Sequence, residues 1–301
     1  MGKITKLPAN RLLFSGSWLF STLAAVLAFA PAKINLGLRV GALRADGYHA
    51  VETVLYPVPW FDAVEAVTAD AFAFRSYGQP CGPPEENLCV KAWRLFQQHT
   101  GCRPVHLFLL KNLPLGAGLG GGSSDAVATL RVLQALFPDG VSDELMVHWA
   151  EQLGSDCPFF LKGRPVLATG RGEVLEPLAL DLSAYVLTIA VPDVQVSTAW
   201  AYAAWDQQSA ATHPEAKLSE LIRLQVSEWR HHLYNDFESV VFTRFPHLST
   251  LKQALYESGA VYASLSGSGS AVYGLFEHRP ESLPALPFVH RWWTGSLGPV
   301  P

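Results

Sequence analysis

The sequence predicts an α+β protein with about two domains, and three observations support this. The chain has 301 residues, and a typical domain takes about 150. Segments with the two-residue alternation of strands mix with segments of helical periodicity, without the regular strand–helix–strand order of a parallel sheet. A change in composition over 177–184 and a polar stretch over 206–219 indicate a boundary near residue 182. The predicted division is an N-terminal extension (1–28), a first domain (29–182) and a second domain (183–301).

The strands are predicted from alternation and from turn residues. Residues 33–40 read KINLGLRV, with apolar residues from Ile34 to Val40 on one face and Lys33 and Asn35 on the other. This pattern predicts a half-buried strand. Asp46-Gly47 is a turn signal before a returning strand. Further strands are predicted at 51–58, 105–110, 185–191, 261–265 and 271–276.

Two helices are predicted in the middle of the chain. Ser123 to Phe137 carries apolar residues at helical spacing and is followed by Pro138-Asp139-Gly140, which ends it. Ser142 is a suitable N-cap for a second helix, and Gly154 closes that helix.

Charge and cysteine content exclude several classes of protein. The chain has 22 basic and 26 acidic residues, whereas a nucleic-acid partner normally requires a basic surplus. An aromatic content of 11% with only 16% charged residues excludes global disorder. The four cysteines form no C-x-x-C pair, so we expect free thiols in a reducing compartment and assign no metal ligand with certainty.

The N-terminal region carries 21 residues without a charge, Leu12–Ala32. A basic start and Ala28-Phe29-Ala30 resemble an export signal, and the length would just suffice for a membrane anchor. However, several serines dilute the segment, and it runs without a spacer into the strand at Lys33. We therefore expect a dispensable extension of a cytoplasmic protein without a membrane partner, with export and anchoring as alternatives.

A glycine-rich loop is the strongest functional signal. Residues 114–125 read PLGAGLGGGSSD, with glycines at 116, 118, 120, 121 and 122 directly before the predicted helix. Such a loop exposes backbone N–H groups, and the helix adds the positive end of its dipole, which together suit a polyphosphate. Ser123 and Ser124 can contact phosphate or help to hold Mg²⁺. An ordinary glycine-rich turn is the alternative. A dinucleotide fold is disfavoured because a second helix, not a strand, follows the first helix. The G-x-x-x-x-G-K-[ST] phosphate loop is absent because no lysine follows the glycines.

Two charged residues and a second glycine loop are candidates for the same site. Lys33 lies on the polar face of the first strand, although a lysine there is often simply solvated. Asp156 precedes an apolar Pro-Phe-Phe run, which suits a proton acceptor at the edge of a dry pocket, but an aspartate there can also be a plain helix cap. Ser266-Gly-Ser-Gly-Ser270 can close over the same anion or be an ordinary hairpin turn.

Taken together, these motifs resemble a known enzyme superfamily. PAKIN (31–35), the glycine loop and the late SGSGS appear in the order found in GHMP kinases. The chain is more narrowly similar to the 4-diphosphocytidyl-2-C-methyl-D-erythritol kinase family, through RADGYH (44–49), GSDCPFF (154–160) and NDFE (235–238). The resemblance runs from about residue 29 to about residue 280. Cys157 replaces an aliphatic residue of the family pattern, and residues 1–28 have no counterpart.

The resemblance implies a fold, an activity and residue roles. It implies the two-domain GHMP kinase fold, with a ribosomal-protein-S5-like N-terminal domain and a C-terminal α/β sandwich domain. It also implies ATP- and Mg²⁺-dependent phosphorylation of the 2-hydroxyl of the cytidyl alcohol in isoprenoid biosynthesis. Asp156 would take or orient the hydroxyl proton, and Lys33 would hold Asp156 ionised. Substrate contacts are implied for Asn35, Tyr48, His49 and Tyr202, and ATP contacts for Lys111, Pro114, Gly116, Gly118, Gly120, Gly121, Gly122, Ser123 and Ser124.

In this implied site, Tyr48 stacks on the cytosine, His49 reads the edge of the base, and Tyr202 covers its other face or is a core residue. Three alternatives remain open at this point. The chain could be another GHMP small-alcohol kinase, such as a homoserine or mevalonate kinase; a nucleotide-binding sensor without catalysis; or an exported protein that shares only the fold. The sequence does not indicate an oligomeric state.

Overall fold

The computed structural model describes residues 5–6, 25–208 and 216–298, and it has two lobes. The first lobe is built on a seven-stranded sheet. Its strands are β1 (Thr5–Lys6), β2 (Ala25–Leu43), β3 (His49–Thr68), β4 (Ala73–Gly78), β5 (Val105–Lys111), β6 (Val166–Thr169) and β7 (Val174–Pro177). The order is β1-β2-β3-β5-β4, while β6 pairs with the first half of β3 and β7 pairs with β6. Of the strand pairs that the described residues form in this sheet, only β4–β5 is parallel.

The helices of the first lobe, within the part of the chain that the structure describes, are α1 (Leu88–Thr100), α2 (Gly121–Leu136), α3 (Asp143–Leu153) and α4 (Cys157–Lys162). The central one is α2, which packs against β2, β3 and the other three helices. Its apolar residues join a core with Val64 of β3, Leu107 of β5 and Trp149 of α3. Burial on several sides therefore fixes α2, and with it the end of the glycine loop.

The second lobe has a four-stranded antiparallel sheet in the order β11-β8-β10-β9. Its strands are β8 (Val186–Pro192), β9 (Tyr262–Leu265), β10 (Val272–Phe276) and β11 (Val289–Ser296). Its helices are α5 (Thr198–Asp206), α6 (Leu218–Leu221), α7 (Trp229–His232), α8 (Phe237–Arg244) and α9 (Pro246–Glu257), with a 3₁₀ turn at Val226–Glu228. A core that includes Phe237, Leu251 and Val272 fills the space between these helices and one sheet face.

The other face of this sheet shares a core with the first lobe. Ile34 and Leu36 of β2 are fully buried in one cluster with Leu187 of β8 and Tyr273 of β10. The hydroxyl of Tyr273 donates a hydrogen bond of 2.6 Å to the carbonyl oxygen of Asn35. The two lobes therefore meet at the strand that carries Lys33.

The predicted α+β class is confirmed, and the predicted strands and helices are present, with ends that differ. The strand expected at 33–40 is the second half of β2, which begins at Ala25, inside the predicted extension. Lys33 and Asn35 are as buried as the apolar face, so this strand is not half-buried as predicted. The reason is that Gly120 and Gly267, from the two glycine loops, lie against these polar side chains. The helix expected from Ser123 begins at Gly121. The polar stretch 206–219 begins inside α5, and residues 209–215 lie outside the described residues.

No helix in the described ranges is long and apolar enough to cross a membrane. Residues 7–24, which hold most of the uncharged N-terminal segment, lie outside these ranges. All four cysteines are free thiols, and Cys89 and Cys157 are buried. Burial raises the pKa of the Cys157 thiol to about 12, so this thiol stays protonated near neutral pH.

Candidate active site

The glycine loop connects β5 to α2. Gly116, Gly118 and Gly120 all have positive φ angles, from 65° to 77°, and Gly120 is the residue that caps α2. The first N–H groups of a helix have no partner within it, and they lie at the positive end of its dipole. With the loop leading directly into this helix end, the structure has the features of an anion-binding site.

Lys33 lies where the loop meets β2. Its backbone N–H donates to the carbonyl oxygen of Leu119 at 2.9 Å, which ties the strand to the loop. Its side chain is only 6% exposed, and Nζ donates to Asn35 Oδ1 at 2.6 Å. Nζ also lies 3.6 Å from the carboxylate of Asp156. The structure therefore brings together the ammonium and carboxylate that are 123 residues apart in the sequence.

Asp156 occupies the N-cap position of α4, but its side chain does not cap the helix. Its side chain makes no capping hydrogen bond, although aspartate is a preferred residue for that role. The side chain is 37% exposed and lines a cavity of about 190 Å³ together with Lys33, Gly118, Gly120 and Tyr202. The carboxylate is thus available to a ligand, which disfavours the interpretation of Asp156 as a plain helix cap.

Asn35 positions Lys33. Its side-chain amide accepts the Lys33 hydrogen bond and donates to Thr53 Oγ1 at 3.0 Å, and Thr53 in turn donates to the carbonyl oxygen of Gly37 at 2.6 Å. This chain of buried hydrogen bonds fixes the direction of the lysine side chain. Asn35 also lines the cavity, so the predicted contact with substrate remains a prediction.

The second glycine loop, Ser266–Ser270, packs directly on the first. Ser266 Oγ donates to the carbonyl oxygen of Gly118 at 2.9 Å, and the N–H of Ala271 donates to Ala117 at 3.1 Å. Nζ of Lys33 is also close to Gly267, 3.5 Å from the position that a Cβ would take there. The two loops therefore form one wall around the lysine.

The NDFE motif supports the second loop. Asn235 donates from its amide nitrogen to the carbonyl oxygens of Leu265 and Gly267, at 2.9 and 2.8 Å. Glu238 accepts from the N–H of Leu265 at 2.9 Å and pairs with Lys252 at 2.6 Å. Asp236 accepts from the N–H of Val40 in β2 at 2.6 Å. These residues hold the loop in place and join it to the first lobe.

Lys111 forms two buried ion pairs beside the glycine loop. Its side chain is buried beneath the loop, with Nζ 2.5 Å from Asp62 and 2.6 Å from Asp125. The ammonium has three N–H donors, and the two carboxylates accept from two of them. Asp62 also accepts from the backbone N–H groups of Asn112 and Leu113 at the entrance to the loop, which gives Lys111 a structural role there. The implied contact of Lys111 with ATP stays a prediction.

The aromatic residues that the resemblance implies as substrate contacts lie at or near the β2–β3 turn. Tyr48 is 57% exposed at the β2–β3 turn, which Arg44 and Asp46 stabilise as an ion pair at 3.1 Å. The ring of Tyr202 stacks on that of His49, with centroids 5.3 Å apart. Both ring nitrogens of His49 have partners, the carbonyl oxygen of Gly41 and the carboxylate of Asp206, each at 3.0 Å. A base can therefore reach a ring nitrogen of His49 only by displacing one of these groups.

Tyr202 connects this aromatic group to Asp156. Burial and the negative charge of Asp156 both raise the pKa of the Tyr202 phenol. The ring also makes an edge contact with Phe237, at a centroid distance of 4.9 Å. Tyr202 is therefore a wall of the cavity and not only a core residue.

Two further cavities lie beyond the start of the glycine loop. One of about 270 Å³ is lined by Pro114, Leu115 and Ala117, and one of about 630 Å³ is lined by Asp62 and Asn112. Gln79 and His290 line both, so the two cavities adjoin. A nucleotide with phosphates at the loop has space for its base on this side.

Comparison with known proteins agrees with this geometry. Residues 87–164 match the model of the GHMP kinases N terminal domain, and residues 218–286 match the GHMP kinases C terminal model. The 4-diphosphocytidyl-2-C-methyl-D-erythritol kinase of Parabacteroides distasonis is 45% identical over 84% of this chain and 92% of its own length. The chain belongs to the 4-diphosphocytidyl-2-C-methyl-D-erythritol kinase family. The family kinase of Chlorobaculum tepidum is 43% identical over 85% of this chain and 91% of its own length.

Solved structures agree with membership of this family. A crystal structure of 4-(cytidine 5'-diphospho)-2C-methyl-D-erythritol kinase is 33% identical, with a TM-score of 0.72 over 90% of this chain and 99% of that one. A homoserine kinase from Cytophaga hutchinsonii is 20% identical with a TM-score of 0.57, over 89% of each chain, and it shares the fold alone. The predicted GHMP kinase fold is therefore confirmed.

Four site residues escaped the sequence analysis: Asp62, Asp125, Arg171 and Asp206. Asp62 and Asp125 join Lys111, Arg171 lines the cavity with Asp156, and Asp206 contacts His49. One signal was present, because Asp125 directly follows the family's glycine loop. The other three lie in segments without a motif, and only the fold brings them to the site.

Proposed function

We propose that the protein transfers the terminal phosphoryl group of ATP to the 2-hydroxyl of 4-diphosphocytidyl-2-C-methyl-D-erythritol. The observation that carries this proposal is the approach of Lys33 and Asp156 to 3.6 Å beside the glycine loop. Family membership supports the choice of this alcohol, since relatives of this name cover most of the chain. ATP occupies the glycine loop, and the alcohol enters the cavity lined by Asp156 and Tyr202.

The reaction follows from the positions of these groups. The alcohol oxygen attacks the γ-phosphorus, a new P–O bond forms, and the bond to the β-phosphate oxygen breaks to leave ADP. Asp156 accepts the hydroxyl proton, and Lys33 and the loop N–H groups stabilise the charge on the transferred group. Phosphoryl transfer requires mainly alignment and charge neutralisation, which this arrangement provides.

Mg²⁺ accompanies ATP in this proposal. No group of three or more His, Cys, Asp or Glu side chains suited to a metal occurs among the described residues. Mg²⁺ commonly uses one or two protein oxygens together with substrate phosphates, and Asp156 and the hydroxyl of Ser124 fit that limited role. Ser124 Oγ is buried and has no hydrogen-bond partner in the described part of the chain. When bound, the ion neutralises phosphate charge.

The role of Asp156 is tested by the variant Asp156→Asn. We expect normal folding and substrate affinity but a loss of about 10² to 10⁴ in kcat, the usual effect of removing a general base. Single-turnover kinetics with ATP and the cytidyl alcohol measures it. Asp139→Asn, which changes an exposed aspartate after α2, is the control. Near-normal turnover by Asp156→Asn would contradict the assignment.

The substrate is tested with a panel of alcohols and ATP. We expect release of ADP with the cytidyl alcohol and not with homoserine or mevalonate. Phosphorylation of homoserine alone would overturn the proposed substrate while leaving the kinase mechanism intact. Absence of ADP release with every alcohol would favour a non-catalytic nucleotide sensor.

We further place this activity in the cytoplasm, where ATP is abundant. Small molecules, ATP and the cytidyl alcohol, are then the partners, with no role for nucleic acid or a membrane. Fractionation of native cells tests this location, and recovery of the protein in a membrane or exported fraction would contradict it.

A further inference from the structure

The residue that leads from β5 into the glycine loop is held from both lobes. This residue is Asn112, two positions before Pro114. On the side of the first lobe, its backbone N–H donates to the carboxylate of Asp62 at 2.5 Å, and its side-chain amide donates to the carbonyl oxygen of Phe61 at 3.1 Å. Both oxygens of Asn112, the backbone carbonyl and the side-chain Oδ1, accept hydrogen bonds from the second lobe.

Arg291 of β11 supplies these hydrogen bonds. Its Nη1 donates to the backbone carbonyl oxygen of Asn112 and its Nη2 donates to Oδ1, each at 2.6 Å. Hydrogen bonds from a charged donor are stronger than neutral ones, and a bidentate pair also fixes the orientation of its partner. A lysine would not reproduce this contact, because its ammonium lacks the planar fork of donors. Arg291 therefore fixes the backbone and the side chain of Asn112 together.

Aromatic side chains hold Arg291 in this position. Its guanidinium carbon lies 4.9 Å from the ring centroid of Trp60 in β3, a side chain that is 3% exposed. The ring of Trp60 also stacks on that of Trp293, with centroids 5.7 Å apart and planes within 3° of parallel. Arg291 and Trp293 are two residues apart on β11 and so lie on the same face of the strand. The contact with Trp60 therefore orders the guanidinium for its partner Asn112.

This contact lies on the side of the glycine loop where we place ATP. Asn112 and Arg291 line the cavity of about 630 Å³ that adjoins the start of the loop. The described residues that line the cavity with Asp156 include neither of them. The second lobe also contacts the loop further along, where Ser266 binds Gly118. The two contacts, at 112 and at 118, limit the movement of the backbone between them.

We infer that Arg291 positions the entrance of the glycine loop and so makes nucleotide affinity depend on the second lobe. Arg291 is a positioning residue in this inference, because it acts through Asn112. It lies beyond residues 218–286, the part of the second lobe that matches the family model. The inference rests on the proposed function for the place of ATP at the glycine loop.

Calorimetry on the full-length protein tests the inference, with ADP and CDP as ligands. We expect ADP affinity to fall about tenfold in Arg291→Met, the effect expected when binding must order about one released backbone residue. CDP affinity should change less than about twofold, because the contact is remote from the cavity with Asp156. Arg291→Lys keeps the charge but not the fork, so we expect a similar loss of ADP affinity. This second variant also serves as the test if Arg291→Met does not fold.

Arg279→Met is the matched control. Arg279 is exposed and also donates to β11, at the carbonyl oxygen of Thr294 with a distance of 3.3 Å. We expect its removal to leave ADP affinity within about twofold of the wild type. An equal loss of ADP affinity in Arg279→Met and Arg291→Met would show that β11 as a whole, and not the contact with Asn112, is responsible, and would overturn the inference.

A double-mutant cycle tests whether Arg291 acts through Asn112. The same calorimetry compares Arg291→Met, Asn112→Ala and the double variant. For residues that act together, the loss of ADP affinity in the double variant is smaller than the product of the two single losses. A loss equal to that product would overturn the inference. Unchanged ADP affinity in Arg291→Met, or an equal loss of CDP affinity, would also overturn it.

Binding of ADP can be measured without the cytidyl alcohol, so this test is independent of the proposed substrate. If Arg291→Met loses ADP affinity but the wild type phosphorylates no cytidyl alcohol, the proposed function fails and this inference stands. If the wild type phosphorylates the cytidyl alcohol and Arg291→Met retains full ADP affinity, the inference fails and the proposed function stands.

Discussion

At the scale of single residues, Lys111 is held between two carboxylates where the glycine loop begins and ends. Asp62 lies in β3 and Asp125 in α2, so the three residues join two strands and a helix. Burial favours the neutral form of Asp125, and despite the nearby ammonium its pKa lies well above the usual value. Asp125 Oδ1 has no hydrogen-bond partner in the described residues, which suits a protonated oxygen.

The pKa of Asp125 predicts a pH dependence of stability. At pH values above 3.8, the ordinary pKa of an aspartate, Asp125 loses its proton in the unfolded chain but keeps it in the folded protein. The free energy of unfolding therefore falls as pH rises through this window, by up to about 1.4 kcal/mol per pH unit. We expect Asp125→Asn to lack this contribution, so its stability relative to wild type improves from pH 4 towards neutral pH. Urea unfolding at several pH values measures the difference.

The same experiment on Asp139→Asn provides the control, because that side chain is exposed in the turn after α2. The difference in the free energy of unfolding between Asp139→Asn and the wild type should stay constant with pH. A constant difference for Asp125→Asn as well would show that Asp125 is ionised throughout.

A second prediction at this scale concerns Asn35, whose oxygen accepts the 2.6 Å hydrogen bond from Lys33. In Asn35→Ala the ammonium loses its anchor, and misplacement of a catalytic group by about 1 Å can cost about 10² in rate. We expect kcat to fall about tenfold to a hundredfold, with KM for ATP nearly unchanged. Steady-state kinetics decides, and a variant that changes only KM for the alcohol would indicate that Asn35 acts through substrate contact alone.

At the scale of elements, the contact between the two glycine loops depends on one missing side chain. Gly118 has φ of 77°, and a Cβ there would overlap the carbonyl oxygen of Ser266. Gly116 has a similar φ of 65°, but no atom lies within 4 Å of its Cβ position. Alanine variants at these two positions therefore distinguish the cost of backbone strain, which both would have, from the cost of steric overlap, which only the variant at Gly118 would have.

We expect Gly116→Ala to cost about 1–2 kcal/mol of stability for the left-handed backbone alone. Gly118→Ala should cost about 1–3 kcal/mol more, because the second loop must move away. Thermal unfolding of both variants measures this, and equal losses would show that the loops do not pack as tightly as the structure indicates.

The sequence predicted only the second half of β2. Its second half alternates polar and apolar residues, whereas in its first half the outward residues Leu27 and Phe29 are as apolar as the inward Val26 and Ala28. Without alternation, this half resembled a signal sequence. β11 was missed for a related reason, since Trp292 and Trp293 interrupt any two-residue pattern.

At the scale of the whole molecule, β2 predicts where the chain can be shortened. Residues 25–28 pair with 64–67 of β3, and Val26 and Ala28 are buried. A chain that starts at Phe29 should be about 2–4 kcal/mol less stable than one that starts at Ala25, since burying a valine alone contributes about 1.5–3 kcal/mol. Chemical denaturation compares the two, both with an initiating methionine. Equal stability would contradict a role for these four residues in the sheet.

The sequence predicts those residues of the candidate site that lie within a contiguous motif. It does not predict residues whose interaction partners are far away along the chain. The glycine loop, Lys33 and Asp156 each lie within a recognisable run of residues, and the structure brings them together. The partners of Lys111 are 49 and 14 residues away, and that of His49 lies in the second lobe. No local pattern records such contacts, because they depend on how the sheets and lobes pack.

The two ion pairs that Lys111 forms with Asp62 and Asp125 have a further consequence for ligand affinity. Because the same ammonium contacts Asp62 near the start of the glycine loop and Asp125 just after its end, these contacts fix the backbone of the loop from both sides. Ordering a free backbone costs about 1–2 kcal/mol of conformational entropy per residue. With ATP bound at this loop as proposed, a backbone that is already ordered would avoid that cost and leave more of the interaction energy for binding the nucleotide.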